Sequence, residues 1–412
     1  MSRDLRCRAC DAPLERVFCD LRSSPLANSY LEPEDLLAAE PYYPLTVYVC
    51  ERCLLVQLPE SESPEAIFSD YAYFSSYSDS WLAHARRYVE AMCERFHLGP
   101  DSRVVEIASN DGYLLQYFVE RGVPVLGVEP AANVAEAAIA KGIPTRVEFF
   151  GADSARRLVA EGLRADLLLG NNVLAHVPNL RDFVAGLEIA LEPRGVLTLE
   201  FPHLARLVAE NQFDTIYHEH FSYFSLAVVR RVFAEQGLAV FDVEELPTHG
   251  GSLRVYARHL DDDSKPVDER VEALLRGEAA AGLDRLEGYL GFEGRVREVK
   301  RALLEFLIAA RRDGKSVVGY GAAAKGNTLL NYCGAGTDLV DYVVDRSPHK
   351  QGRYLPGSRI PIHAPERIAE TKPDHVLVLP WNLQDEILAQ MAHVREWGGR
   401  FVVAIPQLAV LP

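Results

Sequence analysis

From residue 103 onward, apolar runs of strand length alternate with segments of helical length, and this alternation leaves few folds open to the chain. Runs at 103–108, 123–128, 145–149, 166–169 and 195–201 predict strands whose connecting helices imply a parallel sheet with right-handed crossovers. Runs at 239–245 and 252–258, joined by a short turn holding Gly250-Gly251, predict two adjacent strands that close the sheet with a hairpin. A second alternation begins at residue 316, with strands predicted at 317–320, 339–344, 375–379 and 401–405. Helical segments are predicted over 80–97 and 113–121, and a long helical region over 267–312. The fold class is α/β, with two Rossmann-like parts of unequal size.

The first 68 residues break this pattern. They are rich in prolines and short apolar runs, and the segment is too small to be stabilised by its core alone. A structural metal would remedy that. Cys7-Arg8-Ala9-Cys10 and Cys50-Glu51-Arg52-Cys53 are two C-x-x-C knuckles about 40 residues apart, and four thiolates can close a tetrahedral zinc site. The intervening loop is longer than in a compact zinc ribbon, which keeps a redox pair or coincidence open. Cys19, Cys93 and Cys333 have no such partner pattern and read as core or incidental thiols. Asp261-Asp262-Asp263 followed by Ser264-Lys265-Pro266 marks a charged, proline-bearing boundary. The expected domains are therefore a zinc-binding segment over 1–68, a sheet domain over 69–260 and a smaller Rossmann-like domain over 261–412.

With 412 residues and 48% hydrophobic content, each part can bury a normal core. A formal charge of -16 argues against general affinity for nucleic acid or an anionic membrane, both of which need a positive face. No apolar run is long enough to span a bilayer, and Met1-Ser2-Arg3-Asp4 leads into a cysteine pair rather than a secretory signal. The expected state is a cytoplasmic monomer acting on a small molecule.

Parallel strands closed by a hairpin are the layout of class I S-adenosylmethionine (SAM) methyltransferases. The first strand carries Glu106 and ends in Ser109-Asn110-Asp111-Gly112, which places small residues and free amides where a ligand approaches a helix N-terminus. Glu129 lies about 20 residues on, at the end of the next strand, where a carboxylate accepts hydrogen bonds from ribose hydroxyls. No full G-x-G-x-x-G accompanies Gly112, so a nicotinamide dinucleotide fits less well than SAM, which carries no pyrophosphate. Asn171, Asn172 and His176 follow the strand at 166–169 and open onto the same crevice. Either asparagine can orient the methionine portion of SAM, or simply cap the following element.

Tyr217-His218-Glu219-His220 packs two imidazoles, a carboxylate and a phenol into four residues, the groups that move protons near neutral pH. The His-x-His spacing is not the i, i+4 pair of helical zinc ligands, so a proton-transfer edge is favoured over a metal site or a structural network. Tyr71, Tyr73 and Tyr77 form an aromatic connector that either packs or brings hydroxyls to a polar substrate. Residues 311–359 hold eight Lys and Arg against four Asp, a local +4 in an acidic chain. There Lys325 begins a helix in Gly321-Ala322-Ala323-Ala324-Lys325-Gly326-Asn327, where amides and an ammonium can hold a pyrophosphate. The alternative is a solvated surface with a tight helix–strand contact. Asn327, Asp345, Lys350 and Arg353 are further candidates for nucleotide or sugar contacts.

Taken together, the four cysteines, the Ser109–Gly112 turn, the Asn171 to His176 stretch, Tyr217 to Tyr223 and Gly321 to Asn327 resemble the sugar-nucleotide carbon-3 C-methyltransferases, over essentially the whole chain. The resemblance implies a zinc-binding domain, a SAM domain and a terminal domain that helps hold the nucleotide sugar. It further implies that Tyr71, His176, Tyr217, Glu219 and His220 line the reaction site, with His220 the base. The expected reaction is methylation of carbon 3 of a nucleotide-linked (dTDP-linked) 4-keto-deoxysugar through an enolate. Other readings are O- or N-methylation of another polar metabolite, an NAD-dependent sugar-nucleotide oxidoreductase, and a zinc-containing binding module without catalysis.

Overall fold

A computed structural model describes residues 5–63 and 75–412. Its contacts divide the chain into two compact units, each assembled from three stretches: Met1–Leu14, Cys50–Leu204 and Phe221–Arg285 in the first, and Glu15–Val49, Ala205–His220 and Leu286–Pro412 in the second.

The first unit is built on a seven-stranded sheet in the order Leu238–Leu246, Ser252–His259, Leu191–Pro202, Ala165–Asn171, Val104–Ile107, Val125–Val128, Thr145–Arg146. Val104–Ile107 is buried along its whole length, as a central parallel strand covered on both faces must be. The pairs from Leu191–Pro202 to Thr145–Arg146 are parallel, whereas Ser252–His259 runs antiparallel to both its neighbours. This is the arrangement read from the sequence. The strand order reverses between Val104–Ile107 and Ala165–Asn171, which opens a crevice at their carboxyl ends.

Helix Asp79–Phe96 covers one face of this sheet. The Ser78 hydroxyl caps it by accepting from the Trp81 amide at 3.3 Å. Ala85, Tyr88, Val89 and Met92, at helical spacing, enter the core with Val104, Leu167, Leu169 and Val196. His97, in the left-handed region at φ 52°, ends the helix one residue before the expected limit.

The second unit has a six-stranded sheet in the order Ile362–His363, Val343–Val344, Val317–Tyr320, His375–Val378, Arg400–Val403, Ala409–Leu411, all parallel except the last. Its order also reverses at the central strand, between Val317–Tyr320 and His375–Val378. An antiparallel pair, Arg16–Ser24 with Tyr43–Val49, belongs to this unit, and Phe18 stacks on Phe292 at 4.7 Å to join it to helix Phe292–Arg312.

The long helical region expected over 267–312 consists of helices Glu269–Ala280 and Phe292–Arg312 with a short 3-10 turn, Leu286–Tyr289, between them. Gly282 at φ 82° and Gly291 at φ 91° sit in the left-handed region between them, a conformation that interrupts a right-handed helix. No helix among the described residues is long and apolar enough to cross a membrane.

Candidate active site

In the first unit the crevice begins at the turn after Val104–Ile107. Ala108, Asn110 and Gly112 all have positive φ, and the tight turn is held by its own amides: those of Ala108 and Ser109 donate to the Val128 carbonyl, and that of Gly112 to the Ser109 carbonyl. Gly112 is required twice over: its φ is +74°, and a Cβ there would come 2.3 Å from the Ile143 Cδ1. Glu129 is buried, and its two oxygens accept from the amides of Asn110 and Ala131, each at 2.9 Å. Burial pushes its pKa up while those amides pull it down. Glu106 is fully buried with no partner for either oxygen among the described residues. Desolvation, with the charges of Glu129 and Asp111 adding to it, raises its pKa well above the ordinary carboxylate value. Lys141 pairs with Asp111 at 3.2 Å.

Asn171 ends its strand two residues beyond the expected limit, and Asn172, at φ 55°, turns away from it. The Asn171 Nδ2, the Asn172 Oδ1, the Asp111 Oδ1 and the Ser109 Oγ are also buried without partners among the described residues. Orphaned donors and acceptors around one crevice are costly unless a polar ligand completes them. Their chemistry fits SAM: Glu129 for the ribose, the Asn171 donor for its carboxylate and the Asn172 acceptor for its ammonium. His176 closes a short 3-10 turn, Leu174–His176, which the Phe221 amide pins by donating to the Ala175 carbonyl at 2.7 Å.

The four cysteines also belong to the first unit, with their sulfurs within 4.8 Å of one another. Cys7–Cys53 and Cys10–Cys50 are each 3.5 Å apart, close to the ~3.8 Å that tetrahedral Zn–S bonds of about 2.3 Å would set. The two knuckles share one backbone form. In each, the first cysteine's amide bonds the carbonyl five residues on, and its carbonyl accepts from the amide four residues on. The residue after the second cysteine, Asp11 or Leu54, is left-handed. Buried Gln57 donates from its Nε2 to the Cys7 sulfur at 3.1 Å, the second layer expected around a thiolate site. The donor set fits zinc, held by Cys7, Cys10, Cys50 and Cys53.

In the second unit the histidine-rich motif is fixed by neighbours that the sequence did not single out. The His220 Nδ1 lies 2.7 Å from the Thr215 carbonyl oxygen, which can only accept. A hydrogen therefore sits on Nδ1, and in the neutral ring Nε2 carries the lone pair. The Tyr217 ring lies over His220 at 4.1 Å. Glu219, 6% exposed, accepts from the Asn28 side chain at 2.5 Å. His218 is buried against Tyr43 and the Pro44 carbonyl, and burial lowers its pKa, so it reads as a packed, neutral imidazole.

The glycine-rich turn of this unit stands where its strand order reverses. The Ala322 amide donates to Asp345 at 2.8 Å, and its carbonyl accepts from Tyr30 at 2.6 Å and Lys350 at 2.8 Å. Lys325, half-buried, donates to Asn382 at 2.7 Å and lies 4.8 Å over the Trp381 ring. Trp381 in turn donates to Asp214 at 2.8 Å. Asp214 is fully buried, its other oxygen has no partner among the described residues, and desolvation pushes its pKa up to about 7 against the pull of Lys325. Burial likewise lowers the Lys325 pKa, with Asp214 opposing.

Of the expected substrate residues, Lys325, Asp345 and Lys350 thus gather at one turn. Asn327 is buried inside helix Ala324–Cys333, with its Oδ1 bound by Asn331. Arg353 pairs with Glu32 at 2.7 Å, Tyr77 is 67% exposed, and Tyr71 and Tyr73 lie outside the described residues. Asn28, Tyr30, Asp214, Trp381 and Asn382 were not singled out. Trp381 and Asn382 follow an expected strand directly and were findable by that position; Asn28, Tyr30 and Asp214 carry no local signal.

Family models match three successive stretches: a zinc binding domain at residues 7–68, a methyltransferase domain at 81–243 and a C-methyltransferase C-terminal domain at 247–406. The C-methyltransferase NovU of Streptomyces niveus is 38% identical over 405 residues, covering 98% of this chain and 96% of that one. Among solved structures, magnesium protoporphyrin IX methyltransferase of Synechocystis PCC 6803 is 15% identical with a TM-score of 0.35, over 43% of this chain and 82% of that one. A SAM-dependent methyltransferase of Anabaena variabilis is 17% identical with a TM-score of 0.36, over 43% of this chain and 86% of that one.

Proposed function

Because the chain belongs to the family of zinc-domain, SAM-dependent C-methyltransferases, we propose that it methylates carbon 3 of a nucleotide-linked 4-keto-deoxysugar, the nucleotide being dTDP, with His220 as base. When bound, SAM supplies a methyl group activated by its positively charged sulfur. Carbon alkylation then needs a carbon nucleophile, and a 4-keto sugar becomes one when the proton on carbon 3 is removed. The His220 Nε2 takes that proton, and the electron pair left behind spreads onto the keto oxygen as an enolate. Tyr217 or His176 donates a hydrogen bond to that oxygen as its charge develops. Glu219 binds a sugar hydroxyl or orients an imidazole. Lys325, Lys350 and the amides of the Gly321–Asn327 turn hold the diphosphate, which lets an acidic protein retain an anionic substrate.

The observation that carries this reading is the 2.7 Å hydrogen bond from the His220 Nδ1 to the Thr215 carbonyl, which commits the imidazole to a tautomer with a basic Nε2. His220→Asn tests it. The variant is expected to keep the fold and SAM affinity while losing methyl transfer, since an amide cannot accept the carbon-3 proton at neutral pH. In deuterium oxide without methyl transfer, the wild type should exchange that hydrogen and the variant should not. Against an exchanging wild type, an exchange-competent His220→Asn protein would remove His220 from the role.

A further inference from the structure

His249 is an imidazole bonded to Asn172 of the cofactor crevice that the proposed mechanism leaves without a task. It sits at φ 54° in the turn Thr248–Gly250, followed by Gly250 at φ 89° and Gly251 at φ 114°, three left-handed residues in succession. An imidazole residue in that region is strained and persists only where its surroundings hold it. Here they do. The Thr248 hydroxyl donates to buried Glu200 at 2.8 Å, the Ser252 hydroxyl and the Gly251 amide both donate to the Thr248 carbonyl, and Trp81 meets the His249 ring edge-on at 5.2 Å. Trp81 is itself stacked on His84 and Tyr113. The ring so placed has its Nε2 3.1 Å from the Asn172 Nδ2.

With the Asn172 Nδ2 as donor, the His249 Nε2 accepts, which in the neutral ring leaves the hydrogen on Nδ1. The same contact decides which way the Asn172 amide faces. With Nδ2 committed to His249, the acceptor Oδ1 is turned to the buried position where it has no partner among the described residues, while Asn171 offers an unpartnered Nδ2 beside it in sequence. Asn172 is also left-handed, and its own amide is fixed to the Glu200 carbonyl at 2.7 Å, so backbone and side chain are both held.

We infer that His249 is a positioning residue that fixes the amide orientation of Asn172, so that an acceptor, and not a donor, meets the α-ammonium of the cofactor's amino-acid portion. This rests on the reading that Asn171 and Asn172 hold that portion. Turning the amide over would set Nδ2 against an ammonium, two donors facing each other, in a place where neither can be solvated.

The test uses two ligands that differ in the amino-acid portion: S-adenosylhomocysteine, which has it, and 5′-methylthioadenosine, which lacks it. Calorimetry on the full-length protein measures both. His249→Phe keeps a ring against Trp81 and removes the acceptor; His249→Asn tolerates the left-handed backbone but is too short to reach Asn172. Both variants should bind S-adenosylhomocysteine about ten-fold more weakly, with affinity for 5′-methylthioadenosine unchanged. An equal loss for both ligands, or no loss for either, would overturn the role of His249. A wild type that does not distinguish the two ligands would instead overturn the underlying reading of Asn171 and Asn172.

Discussion

At the scale of single residues, two buried carboxyl groups have different tasks. Glu129 is held by two amides against the upward push of burial, and its replacement removes an anchor for the cofactor's ribose. Glu129→Ala is expected to weaken SAM binding roughly ten-fold or more, on about 1.5–3 kcal/mol for a charge-assisted hydrogen bond, as calorimetry would measure. Asp214 is poised near neutrality instead. Its folded pKa of about 7 lies above the unfolded 3.8, so the native state binds the extra proton between those values. The stability it contributes is full below about pH 4 and is lost as pH rises through 7, at about 1.4 kcal/mol per pH unit at most. Asp214→Asn should therefore flatten that decline, and the variant should gain on the wild type in urea midpoints at pH 8 relative to pH 5. An equal pH dependence in both proteins would contradict this assignment.

At the scale of elements, turns carry the chemistry and strands only aim it. Gly321, at φ +90°, leads from the central strand of the second unit into the Lys325 helix, and a Cβ there would fall 2.5 Å from the Pro380 ring. Gly321→Ala should cost on the order of 2–4 kcal/mol, combining left-handed strain and overpacking, and should weaken nucleoside diphosphate binding along with it. Denaturant unfolding and calorimetry would check the two effects. The parallel strands and their turns were legible in the sequence because burial on both faces leaves a continuous apolar run, as in Val104–Ile107 and Val317–Tyr320. Arg16–Ser24 was not, because its register shifts between Val17 and Cys19 and again between Asp20 and Ser23, which breaks the alternation that marks a half-buried strand. His220 and Lys325 stood out by composition, whereas Asp214 and His249 acquire their meaning only from Lys325, Trp381 and Asn172, residues distant in sequence that the folded chain sets beside them.

At the scale of the whole molecule, zinc acts as a clasp. Cys7 and Cys10 precede the excursion Glu15–Val49 into the second unit, and Cys50 and Cys53 follow it, so one ion fastens both ends of that excursion. Metal analysis should find one zinc per chain, and Cys10→Ser should lower the melting temperature and make the first unit more sensitive to chelator, since a closed four-thiolate site loses its geometry with any one ligand. The interleaving has a further result. The chain passes from one unit to the other after Leu14, Val49, Leu204, His220 and Arg285. A ribosome normally lets an amino-terminal domain fold while the rest is still being made. Here the first unit lacks its outer hairpin strands until residue 259 has emerged, and the second waits for the strand that ends at Leu411. Folding of the second unit is therefore deferred almost to the end of translation, although its first strands are made near the start, and no single cut in the gene separates one complete unit from the other.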